Sequence, residues 1–369
     1  MTIALVANSS WNLYNFRFTL IKELKAKGHR VLTIAPEDAF SIYLKEETTY
    51  YPIALSAKNT SLFSNVLLLF RFYRLYKKTA PDCVLQYTIK PNIFGTLAAR
   101  FLSIPSINNV SGLGTVFLHN NLASLIARCL YRITFLFPYK VLFQNKDDQA
   151  LFIRKKLVKP EKTDVVPGSG IDLVAFNKTF PGKENEAFTF LMASRLLIDK
   201  GIVEFAEAAH LIKGKYPQTR FLLAGEKEKN PQLGLKDTLL KKWEKENILN
   251  YMGFIRDIKE VISRAHCIVL PSYREGIPKS LLEAAAMGKP LIATNVPGCK
   301  EVVEDEKNGF LCKVKDAQDL AEKMEKMMHL PEEKRFAYGR HSRKIAEEKF
   351  DQQLVFAKYL MLLSEIEKP

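Results

Sequence analysis

"TIALVAN" (residues 2–8), "FRFTLIKELKAKGH" (16–29) and "RVLTIAP" (30–36) follow one another at the head of the chain. The first and third are short apolar runs of strand length. The middle run is amphipathic at helical spacing and closes on Gly28, a helix stop. Strand, helix and strand in that order form a βαβ unit. The rhythm returns after "NKTFPGKENEA" (177–187), beginning with the strand "FTFLMASRL" (188–196) and a helix from Gly201 to about Lys215. Strands "TRFLLAGE", "ILNYMGF", "HCIVLPS" and "PLIATN" then alternate with helices "LKDTLLKKWEKEN" and "IKEVISRA" and one beginning at Pro278. Two consecutive doubly wound α/β domains are therefore expected, 1–180 and 181–369, with the linker near residues 178–187, where Pro, Gly and charge cluster. In such sheets ligands collect at the carboxyl ends of the strands, so a cleft between two facing domains is the natural site. The last helix, within "DQQLVFAKYLMLLSEIEKP", can pack on either domain.

A chain of 369 residues is long enough for two cores, and 17 Gly with 17 Pro is far from low complexity. Residues 1–7 carry no basic leader, and the five cysteines have no CxxC spacing, so a cytoplasmic, reducing location is expected. The net charge of +15 is unevenly placed: residues 1–180 hold 23 Lys and Arg against 11 acids, which is +12 of it. Between residues 48 and 146 the only acid is Asp82. Such a field favours an anionic partner. Within it, "SNVLLLFRFYRLYKKT" sets aromatic and aliphatic residues beside Arg71, Arg74, Lys77 and Lys78, and "NLASLIARCLYRITFLFPYKVLF" does the same with Arg128 and Arg132. Both resemble interfacial helices that meet anionic lipid, neither is apolar enough to span a bilayer, and both also fit core helices. A non-catalytic binder of nucleic acid or of another anionic surface is a competing reading, although no RNA-binding module is visible.

The chemistry concentrates in "REGIPKSLLEAAAMGKP" (274–290). Pro278 suits the first helical position, leaving Ile277 as a poor N-cap and the amides of Lys279, Ser280 and Leu281 without an obvious side-chain acceptor. Bare amides and the helix dipole make an anion site. Gly276 permits close approach of a ligand, Glu283 can accept from a vicinal diol such as a ribose, and Glu275 can take a sugar hydroxyl. Arg195 and Lys200, in "ASRLLIDKG", flank the end of the preceding strand, where they can neutralise a departing diphosphate. Alone, each pattern also describes an ordinary surface helix or a solvated pair. The six His are dispersed, and no DxD tripeptide closes a strand, so a metal-independent reaction is expected, with no cofactor.

The ordered set "ASRLLIDKG", "FLLAGEKE", "YMGFIRDI" and "VLPSYREGIPKSLLEAAAMGKPLIATNVPGCKEVVEDEKNGFL" resembles the nucleotide-sugar half of the retaining family 4 glycosyltransferases, with the E-x7-E spacing of Glu275 and Glu283. "NLYNFR", "YTIKPNIFGTLAAR", "NNVSGLGTVF", "FQNKDDQALF" and "VVPGSGIDLVAF" extend the resemblance over nearly the whole chain, toward bacterial members that lengthen glycans on polyprenyl diphosphate carriers.

The resemblance implies the GT-B fold and a UDP-sugar donor. It implies a lipid-diphosphate saccharide as acceptor, work at the inner face of the cell membrane, and an N-acetylhexosamine such as GalNAc as the transferred sugar. It places Glu275 at the donor sugar, Glu283 on the ribose and Arg195 with Lys200 on the diphosphate. The backbone from Gly276 to Ser280 then cradles the distal phosphate, and Phe254 with Ile255 hold the base. Asn12, Arg17, Lys90, Gly112 and Gly114 are the acceptor or cleft candidates. Two departures stand out: Asn8 to Asn12 replaces a Gly-rich loop, and Ile89 stands where many members have His. The implied chemistry is front-face attack, with the leaving phosphate taking the acceptor's proton and Glu275 either a nucleophile or a positioning group. A UDP-sugar 2-epimerase shares the two-domain layout and is the enzymatic alternative.

Overall fold

A computed structural model of the chain describes residues 1–55, 61–112, 122–177, 187–228, 230 and 232–367. Two compact units result, Met1–Ser169 completed by the final helix, and Gly170–Gln352. The first unit therefore closes at Ser169, where the sequence suggested 180. The cause is local: Ile171 donates to the Phe350 carbonyl (2.8 Å) and accepts from Gln352 N–H (3.1 Å), which ties the start of the second unit to its end. The proposed linker at 178–187 lies almost wholly outside the described residues.

The first unit is built on a parallel sheet of β1 (Thr2–Val6), β2 (Arg30–Ala35), β3 (Thr49–Pro52), β4 (Cys83–Tyr87), β5 (Ser106–Val110), β6 (Lys140–Phe143) and β7 (Thr163–Val165). Among the described residues their order is β3-β2-β1-β4-β5-β6-β7, so the winding reverses between β1 and β4. Its helices are α1 (Ser10–Ala26), α2 (Ser41–Glu47), α3 (Leu62–Thr79), α4 (Thr96–Phe101), α5 (Leu122–Thr134) and α6 (Lys146–Arg154). Side chains on β1 alternate between the faces: Ile3 and Leu5 meet one core, Ala4 and Val6 another that includes Leu68, Phe72 and Tyr76 of α3. Both faces are covered, which is why the strands read as unbroken apolar runs.

The second unit contains β8 (Thr189–Ala193), α7 (Ile202–Lys215), β9 (Arg220–Ala224), α8 (Asp237–Lys245), β10 (Asn250–Tyr251), α9 (Lys259–Arg264) and β11 (Cys267–Leu270). It continues through α10 (Lys279–Ala286), β12 (Leu291–Thr294), α11 (Cys299–Val302), β13 (Gly309–Cys312), α12 (Ala317–His329) and α13 (Glu332–Lys349). The parallel order is β10-β9-β8-β11-β12-β13, with the reversal between β8 and β11.

The last helix, α14 (Gln352–Glu367), returns to the first unit. Val355, Phe356, Tyr359, Leu362 and Leu363 enter the core that holds Leu5, Leu85 and Leu142. Each such side chain contributes about 1.5–3 kcal/mol when taken from water. Polar ties fix the register: Asn109 donates to the Tyr359 hydroxyl (3.2 Å), Tyr139 to Glu365 (2.8 Å), and Lys358 pairs with Asp164. Among the described residues, no helix is long and apolar enough to cross a membrane.

Candidate functional site

The segments leaving β8 and β11 meet at the point where the second sheet reverses its winding, the usual ligand position of a doubly wound sheet. After β8 the chain makes a 3-10 turn, Ile198–Lys200, and Gly201 caps α7 with φ +77°. A Cβ at Gly201 would lie 2.1 Å from the Pro271 carbonyl oxygen, so only glycine lets the two segments touch. Backbone bonds then lock them, because Tyr273 N–H donates to the Asp199 carbonyl at 2.8 Å.

That contact brings together two residues 75 positions apart. Lys200 Nζ donates to Glu275 Oε1 at 2.6 Å, with both side chains largely buried. A charge-assisted bond of this length is strong, and it ties the ammonium to the first residue of the 275–280 loop. A second bond between the same two segments joins residues that no motif of the sequence singles out. The Tyr273 hydroxyl donates to Glu204 Oε1 (2.7 Å), and burial first, then Glu204, push the phenol's pKa up. The other Glu204 oxygen and Asp199 Oδ1 are buried without a hydrogen-bond partner among the described residues. Nothing in the spacing of Glu204 and Tyr273, 69 residues apart, announces their meeting.

Pro278 is not the first helical residue. With ψ 116° it is the N-cap of α10, which begins at Lys279, and its carbonyl accepts from Leu281 and Leu282 N–H. The correction has a simple cause: proline fixes φ but leaves ψ free, and an N-cap keeps extended backbone while its C=O starts the ladder. Leu281 is therefore partnered inside the helix. No side chain caps α10, as expected, so its terminus at Lys279 and Ser280 faces the loop without an internal acid.

Glu283, one turn further, is mostly buried, and burial raises its pKa against the opposing pull of Lys279, whose ammonium lies 3.7 Å away. The loop is braced from behind by Gly298, at φ +84°, where a Cβ would fall 2.2 Å from the Gly276 carbonyl oxygen. Glu275 N–H also reaches the Pro297 carbonyl at 3.3 Å. Gly276 and Ile277 thus run between the paired carboxylate and the helix terminus.

Arg195 stands two residues past the end of β8, half exposed, with its guanidinium 3.8 Å from Glu228. Phe254, 54% exposed, and the partly packed Ile255 follow Gly253, whose carbonyl accepts from Gly225 N–H.

In the first unit, the Asn8–Asn12 segment ends in a capped helix: Ser9 Oγ accepts from Asn12 N–H at 3.2 Å. The Asn12 side-chain oxygen is buried without a partner among the described residues. Arg17 is buried, its guanidinium 4.3 Å from the centre of the Tyr87 ring, and one nitrogen donates to the Phe16 carbonyl. Lys90 precedes a π-helical turn, Pro91–Gly95, and burial lowers its pKa. Gly112 has φ +122°, while Gly114 lies outside the described residues.

On α3, Leu68, Phe72 and Tyr76 are buried, whereas Phe63, Val66, Leu67 and Phe70 are exposed together with Arg74, Lys77 and Lys78. Arg71 turns back along the unit, donating to the Ala54 carbonyl at 2.7 Å. On α5, Arg132 is exposed beside Ile133, and Arg128 donates to Ser124 one turn back.

Residues 2–145 match the glycosyl transferase 4-like family, and residues 175–345 match the glycosyl transferases group 1 family. Together these matches take in most of the chain, which belongs to the glycosyltransferases built from those two halves. Over its full length it is 29% identical to the whole of a Campylobacter jejuni protein, N,N'-diacetylbacillosaminyl-diphospho-undecaprenol alpha-1,3-N-acetylgalactosaminyltransferase. Over 74% of the chain it is 28% identical to 73% of an Escherichia coli UDP-Gal:alpha-D-GlcNAc-diphosphoundecaprenol alpha-1,3-galactosyltransferase.

Two solved structures share the fold. A Rickettsia africae glycosyltransferase superposes with a TM-score of 0.81 at 21% identity, covering 100% of this chain and 98% of its own. Anabaena HepE, in complex with UDP and glucose, gives 0.80 at 20% identity, covering 99% and 100%. The fold is the GT-B fold of these neighbours, built here on two parallel sheets of seven and six strands among the described residues.

Proposed function

We propose that the protein transfers a sugar, an N-acetylhexosamine such as GalNAc, from a UDP-sugar to a polyprenyl-diphosphate-linked saccharide, retaining the anomeric configuration. The observation that carries the chemistry is the Lys200–Glu275 contact of 2.6 Å at the winding reversal of the second sheet, beside the uncapped start of α10. The full-length likeness to the Campylobacter enzyme supports the choice of substrates.

In this reading the donor diphosphate lies against Lys200, Arg195 and the amides that begin α10, which supply charge stabilisation without a metal or cofactor. The bond between the anomeric carbon and the distal phosphate oxygen breaks, and its electron pair goes to that oxygen. An acceptor hydroxyl attacks from the same face, forms the new glycosidic bond and gives its proton to the departing phosphate. Glu275, already hydrogen-bonded to Lys200, orients the donor sugar, and its distance from the cation fixes both. Glu283 accepts from the ribose hydroxyls, a carboxylate having lone pairs for two hydroxyls as well as for Lys279. Phe254 and Ile255 flank the base. Exposed cations and apolar residues of α3 and α5 hold the protein on the anionic inner face of the membrane.

The test is incubation of labelled UDP-sugars with an undecaprenyl-diphosphate monosaccharide, the product read by mass. Expected is a lipid-linked disaccharide; isomerised UDP-sugar in the absence of lipid would replace this reading with an epimerase. Lys200→Ala should lower turnover on the order of a hundredfold or more. Near-normal turnover in that variant would remove Lys200 from the chemistry.

A further inference from the structure

The segment that follows β9 is stitched to the stretch of chain that carries Arg195. Leu196 N–H donates to the Glu226 carbonyl at 2.9 Å, Ile198 N–H to the Leu233 carbonyl at 2.9 Å, and Leu235 N–H to the Leu196 carbonyl at 3.0 Å. Leu196 thus pairs with Lys227 in parallel and Leu197 with Gly234 in antiparallel fashion, one on each arm of the segment. This frame fixes an acid, Glu228, beside a cation. Its side chain is 17% exposed against 50% for Arg195, so the acid is the anchored partner and the guanidinium the accessible one. One Glu228 oxygen accepts from Asn230 N–H at 2.9 Å, and the other lies 3.8 Å from the guanidinium.

An anchored carboxylate is an unfavourable neighbour for a cation that is to receive a diphosphate. The guanidinium fork has five donors and can meet an anion from solution. That anion then shares its cation with Glu228, the two negative charges repel, and the mostly buried carboxylate loses part of its counter-charge. The two nucleotides of the reaction feel this unequally. In a UDP-sugar both phosphates are esterified. In UDP the distal phosphate is terminal, and such a group carries about 1.5 to 2 charges near pH 7. Glu228 therefore weighs more heavily on the product than on the donor.

We propose that Glu228 is a specificity-determining residue, the resident counter-ion of Arg195, which yields that cation to the donor diphosphate and competes to recover it from UDP. It thereby favours donor over product at the same site. The inference rests on the proposed contact of the donor diphosphate with Arg195.

Calorimetry on the full chain with Glu228→Gln tests it, with UDP and uridine as ligands, and steady-state transfer gives the donor KM. Glutamine keeps an oxygen for Asn230 N–H and removes the charge. Expected is UDP binding on the order of tenfold tighter in the variant, a donor KM lower by no more than about threefold, and unchanged binding of uridine. The gain for UDP shrinks when ionic strength is raised about tenfold, and it is largely lost in an Arg195→Gln background, where no guanidinium is left to compete for. A misfolded variant would lose affinity, so a gain stands apart from damage. UDP affinity that is unchanged or weaker in Glu228→Gln, an equal gain for uridine, or a full gain without Arg195 overturns the inference. UDP bound by neither protein removes the diphosphate from Arg195 and the inference with it. A UDP affinity that depends on Glu228, in a protein that transfers no sugar to a lipid acceptor, keeps the counter-ion and rejects the functional reading instead.

Discussion

Glu283 and Lys289, both on or just past α10, illustrate opposite uses of a buried charge. Burial raises the pKa of Glu283, so its carboxylate is lost at a higher pH than that of an exposed glutamate. If the carboxylate holds the ribose, the donor KM climbs as pH falls through that raised pKa, and Glu283→Gln abolishes this acid limb while weakening donor binding about tenfold at neutral pH. Donor KM measured against pH in both proteins decides it.

Lys289 is 2% exposed, its ammonium donates to the Ser263 carbonyl at 2.7 Å, and burial lowers its pKa to about 8. Between about pH 8 and the ordinary lysine value the folded chain binds fewer protons than the unfolded one, so the wild type gains stability as pH rises through that window. Lys289→Met removes a burial cost of about 3 kcal/mol and loses a bond worth about 1 kcal/mol. Urea unfolding at pH 7 should therefore show the variant more stable by on the order of 2 kcal/mol, a gap that shrinks as pH rises above about 8 and reverses by about 1 kcal/mol toward pH 10.5, where only the lost bond remains. The E-x7-E spacing made Glu283 legible in the sequence, whereas nothing distinguishes Lys289 from an exposed lysine until the chain is folded.

The loop after β11 owes its shape to what lies behind it. Gly298→Ala would force a methyl within 2.2 Å of the Gly276 carbonyl oxygen at a backbone angle that disfavours side chains. The loop must move, and the donor KM should rise on the order of tenfold with only a modest fall in melting temperature; an unchanged KM would show that the loop shifts without consequence. At this scale the sequence was partly readable. Strands buried on both faces announced themselves as apolar runs, and helix α7 ended at Lys215 as expected. The start of α10 was misplaced by one residue, because a proline is equally at home at the N-cap and the first helical position. The Lys200–Glu275 and Tyr273–Glu204 contacts follow from sheet order, a long-range property that local periodicity does not encode.

Across the whole molecule the excess of positive charge in residues 1–180 lies partly on exposed faces of α3 and α5, beside apolar side chains. Flotation with vesicles containing phosphatidylserine should recover the protein at low salt and lose most of it when ionic strength is raised about tenfold. Replacing Arg74, Lys77 and Lys78 by Gln should weaken recovery by about 1 kcal/mol per charge; recovery indifferent to salt and to these changes would remove the electrostatic contact.

Two-unit organisation was visible as a repeated rhythm, but the return of α14 was not, since its apolar face suits either sheet. That return has a bearing on biosynthesis. A ribosome finishes every residue of Gly170–Gln352 before it reaches Val355, so the second unit has its full complement while the first still shows an uncovered patch around Leu5, Leu85 and Leu142. The half translated first is the half completed last, and during that interval its bare apolar surface is a natural client for chaperones.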